Sequence, residues 1–193
     1  MQILLTIVLI FFIGFSEEVK DASVFDNDLS TQSLEQQVYD LIMKLEYKKF
    51  NDELAITVNL CIKIHLRSKL PPRLDLPKAL EKQVRMFETA GLSVSNSLHN
   101  AINLIARMEE NTRSKQEWKD MNMILKRTAE NTDKIVKGIV DRVKVIKEIV
   151  EDKTKDVESS QVHDMVSEMM RLKDTNTLNT DTKEMLKFFK RIN

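Results

Sequence analysis

The chain has 193 residues, and its 30 basic and 30 acidic side chains leave no formal net charge. That balance argues against nucleic acid or an anionic membrane as the main partner, since both demand a basic excess. One cysteine rules out an internal disulfide framework, and three glycines, Gly14, Gly91 and Gly138, cannot form GxGxxG, a P-loop or a GxSxG elbow.

Ile3 to Phe15 is a nearly unbroken apolar run. It suits the core of a signal peptide and falls short of the roughly 20 residues that cross a bilayer. Gly14 and Ser16 stand at −3 and −1 if cleavage precedes Glu17. Residues 1–16 are therefore read as a cleaved signal peptide on a secreted protein, with no stable membrane span. Residues 17–30 are acidic and weakly patterned, a flexible leader. Residues 31–193 are expected to form one helical domain. The chain carries no Asn-x-Ser/Thr sequon, so glycosylation at asparagine is not expected.

Leu34, Val38, Leu41, Ile42 and Leu45 make one helical stripe, with Ser33 and Gln36 at capping-box spacing. From Leu54 to Leu66 apolar residues alternate strictly with others, which is a strand signature. No second such run exists to pair with it, so a helix is favoured, started by Asn51 as N-cap. That helix is apolar on two faces, Leu54/Val58/Ile62/Leu66 and Ile56/Leu60/Ile64, and is expected at the centre of a bundle. Cys61 on it is read as a buried small hydrophobe or as the partner of an intermolecular disulfide.

All three prolines fall in 70–77, predicting a rigid link. Leu80, Val84 and Phe87 predict a short helix ended by Gly91, and Val94 to Met108 the next. Ser114 and Glu117 have capping-box spacing before Trp118, Met121, Ile124 and Leu125. Val136, Ile139, Val143, Ile146 and Val150 follow a 3-4 rhythm too short for a coiled coil. Val162 to Leu172 and Met185 to Ile192 are the last stripes. The scarcity of Gly and Pro after 92 lets neighbouring helices fuse. The expectation is all-α, an irregular bundle of six to eight amphipathic helices.

Chemistry is sparse. His65, His99 and His163 are scattered and none belongs to an HExxH motif, so no catalytic, metal or cofactor site is expected. The oxygen-rich stretch from Asp174 to Glu184 lacks the residues of a calcium loop: Leu178, Asn179 and Met185 stand where ligands and a glycine are needed. It reads as a polar turn, with Asp181 and Glu184 capping the last helix. Ten methionines suit an adaptable apolar surface or ordinary core filling.

In layout alone the chain is similar to the small helical lipid carriers secreted by some invertebrates, a similarity that transfers no residue. The expected function is a non-enzymatic binding protein that holds a small hydrophobic molecule or helical peptide in a groove between helices. Leu54, Val58, Ile62, Leu66, Met165 and Met169 are the candidate lining. The rival expectation is an interaction protein that binds another protein or self-associates through long helices.

Overall fold

In the computed structural model of the protein, the described residues are 33–67, 70, 74–111, 116–152, 154, 155, 157 and 159–192. The signal-peptide and leader segments, and Ser114 of the predicted capping box, lie outside them. The chain divides into two units, Met1–Gln37 and Val38–Asn193. Of the first, residues 33–37 are described; there Gln36 N–H donates to Ser33 Oγ at 3.2 Å, as the capping spacing predicts.

All regular structure among the described residues is helical: α1 (Leu34–Met43), α2 (Tyr47–Leu66), α3 (Leu76–Asn111), α4 (Gln116–Glu151), α5 (Ser160–Asp174) and α6 (Leu178–Ile192). The segment 54–66 is helix, within α2. That helix begins at Tyr47, eight residues after Tyr39 and four before the predicted cap. Asn51 therefore sits inside it, where its Oδ1 accepts from Asn176 Nδ2 at 2.7 Å. The buried face of α2 is Phe50, Leu54, Thr57, Val58, Cys61 and Ile64, a single 3-4 stripe, while Ile56 and Leu66 face solvent. The expected central helix with two buried faces is thus corrected to an outer helix with one.

Local chemistry starts and stops the helices. Asp75 Oδ1 accepts from Lys78 N–H at 3.3 Å and caps α3, so the proline-containing link ends before Leu76 and Pro77 lies in the first turn. Hydrogen bonding to Lys78 holds the Asp75 carboxyl below its usual value. Ser159 Oγ accepts from Val162 N–H and caps α5. Arg67 closes α2 in the left-handed region, φ 49°, a position that glycine usually takes.

Two predicted boundaries are absent. Gly91 does not end a helix: α3 runs through it for 36 residues, and the glycine is there for close packing, since Val136 of α4 fills the space a Cβ would occupy. Gly138, packed the same way under Leu172 of α5, sits inside α4. Each glycine forgoes about 1 kcal/mol of helix propensity and lets two backbones approach closely. The stripes at 118–125 and 136–150 likewise join into α4.

Cross-helix contacts in the unit from Val38 onward fix the topology. Along α2 and α3, Glu53 accepts from Gln83 Nε2 at 2.7 Å, and the Phe50 and Phe87 rings are 5.5 Å apart. Along α3 and α4, Lys147 pairs with Glu81 at 3.4 Å, and Ser95 Oγ donates to Asp133 at 2.6 Å. Along α4 and α5, Arg142 reaches Glu168 at 3.5 Å; along α4 and α6, Arg127 reaches Asp181 at 2.7 Å. As numbers rise on one helix they fall on its neighbour, so every pair is antiparallel. The α1/α6 contact of Tyr39 and Phe189 (5.1 Å) and the α2/α5 contact of His65 and His163 (5.3 Å) share one register. Four antiparallel columns result, rather than six to eight separate helices. The first column is broken at 44–46, between α1 and α2, and the last at 175–177, between α5 and α6. This is the up-down-up-down order of a four-helix bundle, each column burying one stripe.

Candidate functional site

Three places in the second unit gather chemistry-bearing side chains. The first is an aromatic cluster where the broken columns meet the start of α4. The Trp118 ring packs edge-on against Phe188 and Phe189, with centroids 5.0 and 6.1 Å away, and Phe189 takes the edge of Tyr39. Trp118 and Phe189 are buried. Beside this cluster Tyr39, Met43, Leu186, Phe189 and Lys190 line a cleft of about 400 Å³. Helical spacing explains the lining: Tyr39 and Met43 are four residues apart on α1, and Leu186 and Lys190 four apart on α6. Met43 is 54% exposed, so its thioether chain is free to repack around a guest. The result is an apolar recess with one ammonium group in its lining.

The second place is polar and lies at the break of the last column. Asp181 is buried in the first turn of α6, and its carboxylate takes Arg127 Nη2 at 2.7 Å, Thr128 Oγ1 at 3.0 Å and Thr177 Oγ1 at 2.7 Å. Asn131 Nδ2 donates to the Thr175 carbonyl at 2.9 Å, and Leu178 N–H to Asn176 Oδ1 at 3.0 Å. Asn176, not Asp181, therefore caps the last helix, which starts four residues earlier than a cap at Asp181 would place it. A cleft of about 550 Å³ opens here, lined among others by Arg127, Glu130, Lys134 and Asp181. Its buried carboxylate is already fully engaged by protein donors, which is the signature of a structural knot.

The third place holds the residue types of a hydrolase. Ser95, His99 and Asp133 meet on the exposed side of α3 and α4, with Ser95 Oγ 3.2 Å from His99 Nδ1 and His99 Nε2 3.9 Å from Asp133. Ser95 Oγ, however, donates to Asp133 at 2.6 Å, and His99 Nδ1 is also 2.9 Å from the Ser95 carbonyl. A nucleophilic serine must hand its proton to the imidazole; here the shortest bond sends it to the carboxylate. The cluster bridges α3 and α4, with the serine hydroxyl held by the carboxylate.

The residues singled out from the sequence are distributed as follows. Leu54, Val58 and Met169 are fully enclosed, Ile62 and Met165 half-buried, and Leu66 is 56% exposed beyond the core. They lie on adjacent helices, α2 and α5, but line neither cleft described above. Cys61 is enclosed, and burial pushes its thiol up from 9.0 to about 12. The lining of the apolar cleft was missed. The Phe188-Phe189 pair was a visible signal, but its meeting with Tyr39 joins segments about 150 positions apart and depends on the fold. No described helix is long and apolar enough to cross a membrane. No family model, no curated protein and no solved structure matches the chain.

Proposed function

We propose that this chain is a secreted, non-enzymatic binding protein that takes a small hydrophobic ligand in the cleft between α1 and α6. The observation that carries the reading is the recess of about 400 Å³ lined by Tyr39, Met43, Leu186 and Phe189, with Lys190 among them. Ligand sites are concave, mostly apolar and of about 300 to 1,000 Å³, with a few polar groups for orientation. The apolar run Ile3 to Phe15 supports export. The α2–α5 seam, where the sequence pattern first placed the groove, is filled by its own side chains Leu54, Val58 and Met169; the ligand goes to the α1–α6 cleft instead.

The chain's single tryptophan, Trp118, lies 6.1 Å from the Phe189 ring and reports on this cleft. Titration with a long-chain fatty acid is expected to change its emission saturably, with one molecule bound. Leu186→Glu, at a half-buried position, is expected to weaken binding by about tenfold through loss of apolar contact and repulsion of the acid. A response that never saturates, or one identical in Leu186→Glu, overturns the proposal.

A further inference from the structure

His65 and His163 are 98 positions apart, and only the antiparallel pairing of α2 with α5 brings them together. Their ring centroids are 5.3 Å apart with planes inclined at 50°. His65 stands in the last turn of α2 and His163 in the first turn of α5. The flanking Ile64 and Val162 are wholly buried, so both rings ride on fixed backbone. His163 is exposed and gives access to the pair from solvent. His65 Nδ1, by contrast, is shut off from solvent and has no hydrogen-bond partner. Buried polar atoms are nearly always hydrogen-bonded, so a ring nitrogen in that state calls for an account.

We propose that His65 and His163 form a two-imidazole site for a zinc-type divalent ion. Two imidazoles that share one tetrahedral ion at a metal–nitrogen distance of about 2.1 Å have ring centres about 5 Å apart, close to the spacing here. Imidazole is a ligand suited to zinc, copper and nickel, and not to calcium or magnesium. Cys61, one turn before His65, does not join: it is fully enclosed, and its thiol keeps its proton at neutral pH. Among the described residues no cluster of three or more His, Cys, Asp or Glu forms a metal cage. The ion therefore takes its remaining ligands from water on the exposed His163 side and clamps the end of α2 to the start of α5. Each coordinating ring nitrogen, after giving up a proton where it carries one, displaces a water from the hydrated ion, so two nitrogen–metal bonds replace two water–metal bonds with no redox change.

Zinc chloride titration of the isotope-labelled full chain, followed by the three imidazole resonances, tests the site. His65 and His163 are expected to shift together and saturate at one equivalent. His99, which is engaged with Ser95 and Asp133 elsewhere on the molecule, is the internal control and stays put. His163→Ala and His163→Gln change an exposed side chain, so helicity by circular dichroism is retained. Both are expected to remove the His65 response and weaken zinc binding at least about tenfold. A shift of His163 alone, an equal shift of His99, or unchanged zinc affinity in both variants overturns the proposal and leaves an ordinary ring contact.

Discussion

At Cys61 a single side chain links burial to solution behaviour. The thiol is enclosed, and burial raises it from 9.0 to about 12. In the unfolded chain the proton leaves near the ordinary value; in the folded chain it stays until the pH nears 12. The stability that the protonated thiol contributes is thus complete below about pH 9 and lost as pH rises from there. The stability difference between the natural chain and Cys61→Ala, from urea unfolding, is expected to be constant below about pH 8 and to shrink above about pH 9. A thiol reagent should react at neutral pH only when denaturant opens the fold. Rapid labelling without denaturant is the contrary result. Burial also removes the intermolecular disulfide that the sequence alone left open, since no reactive sulfur is presented at the surface.

At the scale of elements, the breaks at 44–46 and 175–177 stand out. The second is held by a polar knot rather than by apolar packing. Asp181 accepts three hydrogen bonds from side chains on α4 and at the break itself, and truncating it strands those donors. Asp181→Ala is expected to cost about 3 kcal/mol by urea unfolding, with Asp181→Asn losing less because the shape is kept. A loss within the error of a surface substitution would mean the knot is ornamental. Outside α2 the helical stripes were legible in the sequence because a 3.6-residue period is a local property. The continuity of α4 was not: between Leu125 and Ile135 its buried positions include Thr128, Ala129 and Thr132, small or polar residues that leave no apolar mark. Thr57 hides the inward stripe of α2 in the same way. Gly91 reads as a stop until Val136 is seen above it. The apolar cleft was illegible for a different reason, since its two sides come from opposite ends of the pattern.

At the scale of the molecule, three connections of nine, four and eight residues join successive columns of the second unit. Each column follows its spatial neighbour, an order rich in local contacts that favours fast folding. The closing pair of the ring is the one not joined by chain. Tyr39 near the beginning of the first column rests on Phe189 near the end of the last. The order of the columns along the chain is therefore expected to be a convention that the packing does not enforce. A circular permutant that links Ile192 to Val38 through a short Gly/Ser bridge, opened between Asn111 and Gln116, should keep its helicity by circular dichroism and unfold in one cooperative step. If it does, the four columns are a closed set with no first member; if it melts gradually, the starting point of the chain carries information that the contacts alone do not hold.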